Sequence, residues 1–332
     1  MAAQLTEKEN YMRLMKGEIP EWVPRSLGMR CGVTISALNT RQDPNALEFT
    51  DLYGVPMIVE PNSGPIPKPG KYLLTDIRKW RDVIKRPKIL DEINWEMAAQ
   101  KDLADRDPAL LKMGRSGIGN GYFMILTYFM GFDNALCAIV EEPEEVKALL
   151  NFILDINLEV TKNIIKYYKP DVGNMGDDIA HERAPFVSEE TFLDIFEPMW
   201  RKNIEPYVDS GIPVEHHNCG AFEPFVPHII NMGFNAWTPA QPTNNDLPGI
   251  KAKFGRKLAI VGGFENNGMV SWADTTEEQI RGYVKQQMDT LAPNGGFALG
   301  GSVMGNPNDA VRNQRNTWID DEYEKLKFSY YK

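Results

Sequence analysis

The sequence predicts an α/β protein, a (β/α)8 TIM barrel built as a single domain over residues 1–332 with an irregular N-terminal segment. Three observations carry that expectation. Short apolar runs alternate with longer segments of helical periodicity, and such alternation means βα units on a parallel sheet. Five units can be read from residue 171 onward and at least two before it, which favours a closed barrel over an open doubly wound sheet. No low-complexity linker or short repeat divides the chain, and its 23 prolines are scattered. With 42% hydrophobic and 25% charged residues the chain can bury a large core, so disordered, collagen-like and coiled-coil classes are excluded.

The elements follow in order. Residues 6–15 read as a helix, because Thr6 and Glu9 have capping-box spacing and Gly17 and Pro20 stop it. A short strand is expected over 21–28. Residues 43–89 are irregular, interrupted by Pro56, Pro61, Pro65, Pro67, Pro69 and Pro87, with a short strand at 56–59. A helix over 94–104 leads to a strand at 110–115, a glycine-rich stretch at 117–121 and an apolar helix at 122–130. Pro143 suits the first position of a long helix, and Glu144 and Glu145 suit its positive end. That helix runs to about 168, with Val146, Leu149, Leu150, Ile153, Ile156, Val160 and Ile164 at helical spacing. Strands at 171–176, 213–217, 236–238, 258–262 and 297–299 then alternate with helices at 188–209, 221–232, 246–254 and 275–291.

Charge and cysteine content narrow the function. A net charge of −10 repels phosphate backbones, so nucleic acid is not expected as a partner. Three cysteines, Cys31, Cys137 and Cys219, make no disulfide framework and read as a reduced, cytoplasmic chain. The first ten residues lack the apolar core of a signal peptide. The longest apolar stretch, 122–130, falls far short of the ~20 residues a spanning helix needs, so no membrane is expected.

In a barrel the chemistry sits at the C-terminal strand ends. The densest of them is the run from Glu215 to Gly220. Alternate residues of a strand share a face, so Glu215, His217 and Cys219 point one way and His216 and Asn218 the other. An imidazole and a thiolate on one strand face are natural zinc ligands, though the pair alone is more often a polar histidine beside a buried thiol. Asp177 and Asp178 end another strand, and paired carboxylates can act as acid and base, bind metal or simply cap a helix. Asp177, directly after the strand, is expected to face the axis as a catalytic group, and His216 is the other expected proton donor. Met29, Tyr122, Phe123, Trp237 and Phe264 crowd the expected mouth. Most such residues are core by default, but some should line an apolar pocket. Gly-x-Ser-x-Gly, Walker A, His-Glu-x-x-His and Cys-x-x-Cys are all absent from the sequence.

Over nearly its whole length the chain resembles the uroporphyrinogen decarboxylase superfamily. The resemblance rests on Asp177-Asp178, the helix after Ser188, His217-Asn218-Cys219-Gly220, Phe254-Gly255 leading to Gly262-Gly263, and Gly295-Gly296-Phe297. That superfamily holds a cofactor-free decarboxylase and zinc-dependent methyltransferases that work with corrinoid proteins. The decarboxylase carries Met-Arg-Gln-Ala-Gly-Arg-Tyr at its first strand. Here residues 26–32 read Ser-Leu-Gly-Met-Arg-Cys-Gly, so Arg30 remains and the motif does not. The corrinoid branch carries His-x-Cys-Gly as two zinc ligands, which implies His217 and Cys219 here. Its thiol-methylating members add a cysteine near the last strand, where this chain has Gly300-Gly301-Ser302. A carboxylate would then complete the set, with Glu215 expected and Asp177 or Glu265 as substitutes.

The resemblance thus implies the methyltransferase component of a corrinoid-dependent O-demethylase. A methyl group would pass from a small-molecule donor, an aryl methyl ether, to cobalt(I) of a corrinoid protein docked at the barrel mouth. Substrate would meet Met29, Arg30, Tyr122, Phe123, Trp237 and Phe264. The alternatives are a methylcorrinoid-to-acceptor methyltransferase, a uroporphyrinogen-type decarboxylase, or a barrel that binds without turnover. A homodimer is compatible with the sequence.

Overall fold

The computed structural model describes residues 5–27, 30–60, 64–118, 121–266 and 268–331, and the side chains of Arg30 and Cys31 lie outside that description. Helix α1 (Glu7–Met15) starts on the expected capping box, with the Glu9 amide donating to Thr6 Oγ1 and the Thr6 amide to the Glu9 carboxylate. It buries Tyr11, Leu14 and Met15 completely or nearly so. After β1 (Arg30–Gly32) the chain leaves the barrel to form an antiparallel three-stranded sheet of β2 (Glu48–Thr50), β3 (Pro56–Glu60) and β4 (Gly64–Pro67). The short helix α2 (Trp80–Val83) and α3 (Trp95–Leu103) return it to β5 (Leu111–Arg115).

Three helices precede the next strand: α4 (Tyr122–Met130), α5 (Phe132–Glu141) and α6 (Pro143–Asn163). The chain bends by 112° between α4 and α5, at Gly131, whose φ of 80° suits glycine. Helix α6 buries its periodic apolar stripe, Val146, Leu149, Leu150, Ile153, Ile156 and Val160, and each such side chain is worth roughly 1.5–3 kcal/mol of burial. The remaining units are β6 (Val172–Gly176), the one-turn α7 (Glu189–Thr191) and α8 (Glu197–Asp209), then β7 (Val214–His217) and α9 (Val226–Met232). They are followed by β8 (Ala236–Ala240), α10 (Leu247–Phe254), β9 (Ala259–Gly262), α11 (Glu277–Leu291), β10 (Phe297–Leu299) and α12 (Ala310–Leu326).

Seven strands form one parallel sheet in the order β1, β5, β6, β7, β8, β9, β10. Just upstream of β1, Arg25 makes a parallel bridge to Leu299 of β10, which brings the two ends of the sheet together. The expected α/β barrel is therefore present, its regular sheet showing seven strands among the described residues. Among the described residues of the expected strand at 21–28 only this bridge is present, and regular pairing is seen from Arg30.

The barrel interior is filled by small and medium side chains: Leu111, Met113, Val172, Ala236, Ala259, Val261 and Ala298. Tyr11, Leu14 and Met15 of α1 join that cluster, so α1 plugs the end of the barrel where the strands begin. A larger core lies between the strands and the helices around them. No single helix among the described residues is long and apolar enough to cross a membrane.

Candidate metal centre and substrate cavity

Register decides which side chains reach the mouth. In β6 and β7, Asn174 pairs with Glu215 and Gly176 with His217. These residues face the barrel axis, and the same parity carries Asp178 and Cys219 inward beyond the strand ends. Asp178, His217 and Cys219 accordingly converge, with one ligand atom from each inside 4.8 Å of the others. Cys219 Sγ and Asp178 Oδ1 each lie 3.8 Å from His217 Nε2. Zinc bonds of about 2.0–2.3 Å at tetrahedral angles put N and O ligands roughly 3.4 Å apart and N and S ligands roughly 3.5 Å apart, so the donor atoms stand within a few tenths of an ångström of what that ion would need. The Cys219 amide donates to Asp178 Oδ1 at 2.8 Å, which fixes the carboxylate beside the thiol. Gly220, with φ of 82°, turns the chain directly after the pair, and a Cβ there would press on the His181 carbonyl.

Burial, then the neighbouring Asp178 carboxylate, pushes the Cys219 thiol up to about 12. A bound dication inverts that balance, because a coordinated thiol is deprotonated outright. The His217 side chain is 44% exposed and that of Asp178 35%, so the centre opens toward solvent. Three protein ligands with an open side is the arrangement of a catalytic rather than a structural zinc.

Two cavities lie at the strand ends, and the smaller one touches this cluster. The smaller, of about 270 Å³, is lined by His217, Asp178, Gly176, Asn174, Asn203 and Tyr122, together with Arg115 and Ser116. The larger, of about 520 Å³, lies between the barrel and the β2–β4 sheet. Its wall includes Phe49, Tyr53, Met57, Ile118, Ile125 and Tyr128. Arg115 lines both. The sequence alone did not reveal the larger cavity, because Phe49, Tyr53 and Met57 belong to the proline-interrupted segment and reach the mouth only through the excursion of that sheet.

Other expected site residues sit elsewhere. Asp177, expected at the axis, has the opposite parity and is fully buried behind the strands. Its carboxylate accepts from the Phe123 amide (2.9 Å), the Met124 amide (3.0 Å) and Trp200 Nε1 (2.9 Å). It thereby anchors the first turn of α4, and burial still raises its pKa to about 6. Gly121 permits this approach, since a Cβ there would overlap the Asp177 side chain.

His216, the other expected proton donor, is fully buried among Trp200 (4.5 Å between ring centres), Phe222 (5.0 Å) and Phe234 (5.0 Å). Burial, then the neighbouring His217, lowers it to about 3, so it stays neutral. Glu215 does face the axis, but one layer below the mouth. It accepts from Tyr11 Oη at 3.0 Å and from Asn174 Nδ2 at 3.4 Å, and it is Asp178 that stands with His217 and Cys219 in the cluster. Glu265 accepts from the Thr243 amide at 3.3 Å and stands outside the three-residue cluster.

Of the expected substrate contacts, Tyr122 does line the smaller cavity. Phe123 instead stacks on Phe186 at 5.4 Å, and Trp237 is buried against Phe222 with its Nε1 donating to the Asn218 carbonyl. Phe264 is buried edge-on to Tyr283, 5.3 Å away. These three aromatic rings pack core rather than cavity wall, the default for large apolar side chains next to a barrel. Met29 and the side chain of Arg30 lie outside the described residues.

The fold and the centre together define a parallel α/β barrel with a His, Cys, Asp cluster at its mouth. A model of the family described as uroporphyrinogen decarboxylase (URO-D) matches residues 51–304, and the chain belongs to that family. Comparison with curated proteins finds no match. Among solved structures, a methyltransferase from Methanosarcina mazei is similar over 97% of this chain and 99% of that one, with a TM-score of 0.70 and 12% sequence identity. At that identity the likeness is one of fold.

Proposed function

We propose that this chain is a methyltransferase of the URO-D family, and within it the component of a corrinoid-dependent O-demethylase that takes the methyl group from an aryl methyl ether. The observation that carries the reading is the Asp178, His217 and Cys219 cluster opening onto a polar cavity that adjoins a larger apolar one. The similarity of fold to a methyltransferase supports it. Imidazole, thiolate and carboxylate form a donor set suited to zinc, and their atoms need to close by only a few tenths of an ångström to reach tetrahedral spacing. Zinc held there would supply a Lewis acid for the ether oxygen, whose developing phenolate charge makes it a poor leaving group.

The chain's own residues do the rest. Asp178 is locked beside Cys219 by the Cys219 amide, so the donor set is prearranged. Phe49, Tyr53 and Tyr128 offer faces for an aromatic ring. The exposed side of His217 leaves room at the mouth for the methyl acceptor, the reduced corrinoid of a partner protein docked over the strand ends. Among the described residues lining the two cavities, Arg115 is the one formal cation. A porphyrinogen bearing many carboxylates would want several, and this weighs against decarboxylation.

The test combines metal analysis with turnover. Zinc should bind at about one equivalent per chain, and His217→Ala, Cys219→Ala and Asp178→Asn should each lose most of it while circular dichroism stays unchanged. With a reduced corrinoid protein, an aryl methyl ether should release its phenol, whereas methylamines should not react. Full zinc in all three variants would refute the centre. Loss of carboxyl groups from uroporphyrinogen, with no phenol released from any ether, would establish the decarboxylase instead.

A further inference from the structure

Arg115, which lines both cavities, is a cation with no ion-pair partner among the described residues. Arg115 is the last residue of β5, and its carbonyl accepts from Tyr207 Oη at 2.8 Å, which pins the backbone while the side chain stays exposed at the mouth. Among the described residues, no carboxylate lies within ion-pair distance of its guanidinium. The chain has 46 acidic residues against 36 lysines and arginines, so an unpaired arginine inside a cavity is not a consequence of composition. Asp51 shares the wall of the larger cavity, but its Oδ1 accepts from the Tyr53 and Val55 amides of its own turn. Ser116 Oγ and Asn203 Oδ1, of two residues that line the smaller cavity, are buried without a hydrogen-bond partner, and Asn203 as a whole is 1% exposed. The smaller cavity therefore offers polar groups for a ligand to satisfy, and the larger one apolar surface.

We infer that Arg115 recognises a carboxylate on the substrate, so that the preferred methyl donors are anionic aryl methyl ethers of the methoxybenzoate class. The inference rests on the aryl-ether reading above for the methyl group, and on the placement of Arg115 for the charge. The ring lies against Phe49, Tyr53 and Tyr128, the carboxylate meets the guanidinium at the junction, and the methoxyl enters the polar cavity beside the metal centre. A planar guanidinium can bind a carboxylate through two parallel hydrogen bonds, which orients the ring as well as attracting it.

Calorimetric titration of the full zinc-loaded chain, without corrinoid, compares 3-methoxybenzoate with the neutral isostere 3-methoxybenzamide. The acid should bind about tenfold tighter or more, as expected of a charge-assisted pair. Arg115→Gln should bring the ratio near one by weakening the acid far more than the amide, and Arg115→Lys should restore part of it. Equal binding of acid and amide by the wild type, or an undiminished ratio in Arg115→Gln, would overturn the inference. The underlying reading is tested separately by phenol release with corrinoid present. If no ether is demethylated but the ratio collapses in Arg115→Gln, the anion site stands and the methyl-transfer reading falls. Demethylation with equal binding of acid and amide would keep the methyl-transfer reading and remove the anion site.

Discussion

Two pairs of adjacent residues, Asp177 with Asp178 and His216 with His217, show how one step along a strand exchanges a mouth residue for a buried one. Parity in β7 is legible in the sequence, since Glu215, His217 and Cys219 fall on one face. The same rule applied to Asn174 and Gly176 points to Asp178, whereas nearness to the strand end suggests Asp177, and nearness is the weaker guide. The depth of Glu215 is not legible, because alternation gives a side chain's direction but not its height along the barrel. His216 yields a test of its environment. Its folded pKa is depressed to about 3, so the unfolded chain takes up the proton first as pH falls. The stability that its neutral burial contributes is present above about 6.5 and is lost as pH falls toward about 3. His216→Phe fills an already aromatic site and cannot titrate. In urea unfolding at pH 8 and pH 5, the variant should lose less stability between the two than the wild type does. An equal loss in both would mean that His216 is not the acid-sensitive group. Zinc content should not respond to the substitution at any pH.

At the scale of elements, the strong signals are periodicity and end chemistry. Helices α1, α4, α6 and α11 fall where apolar spacing or the chemistry of their ends announces them, and β5 to β10 fall where apolar runs predict them. Helix α5 is not legible because it follows α4 across a single glycine and reads as a continuation. Helix α12 is largely polar, burying Arg315, Ile319, Glu322 and Tyr323, so it carries little periodic signal. The three-stranded sheet is hidden by its prolines, two of which, Pro65 and Pro67, lie in the edge strand β4, where the missing amide donor is tolerated. Helix α4 carries the element-scale prediction. Gly121 at its N-terminus has no side chain to cap it, and Asp177 supplies the acceptor from β6 instead. Asp177→Asn keeps the volume but sets an amide NH₂ against N–H donors, at a cost of about 1–3 kcal/mol. The sign of its pH dependence follows from a folded pKa raised from 3.8 to about 6. The stability this shift confers is full below about 3.8 and is lost as pH rises through about 6. The advantage of wild type over Asp177→Asn should therefore shrink between pH 4 and pH 7 in denaturant titrations. Catalytic loss should appear only as far as α4 moves, so Asp177→Asn should retain zinc. A variant that lost zinc while remaining fully stable would return Asp177 to the metal centre.

Across the whole molecule, the barrel separates what folds it from what it does. The Asp178, His217 and Cys219 cluster and both cavities lie at the C-terminal ends of the strands, and α1 closes the opposite end with Tyr11, Leu14 and Met15 in the interior cluster. Glu215 lies between the two, a fully buried acid one layer beneath His217 that accepts from Tyr11 Oη of the plug. A buried polar group is costly to leave with fewer hydrogen-bond partners, so the plug both fills the barrel and satisfies an acid side chain within it. Tyr11→Phe removes only the hydroxyl and should cost about 1–3 kcal/mol. Tyr11→Ala also leaves a cavity, and a loss of about 3–5 kcal/mol is expected, in the range for a large buried aromatic cut to alanine. Both variants should lower the urea midpoint in that order. Under native conditions both should still bind zinc at about one equivalent and bind 3-methoxybenzamide as the wild type does, because the donor set and the apolar wall hang from other elements. If instead zinc affinity fell in step with stability along the Tyr11 series, Glu215 would be transmitting the state of the plug to His217, and floor and mouth would act as one cooperative unit.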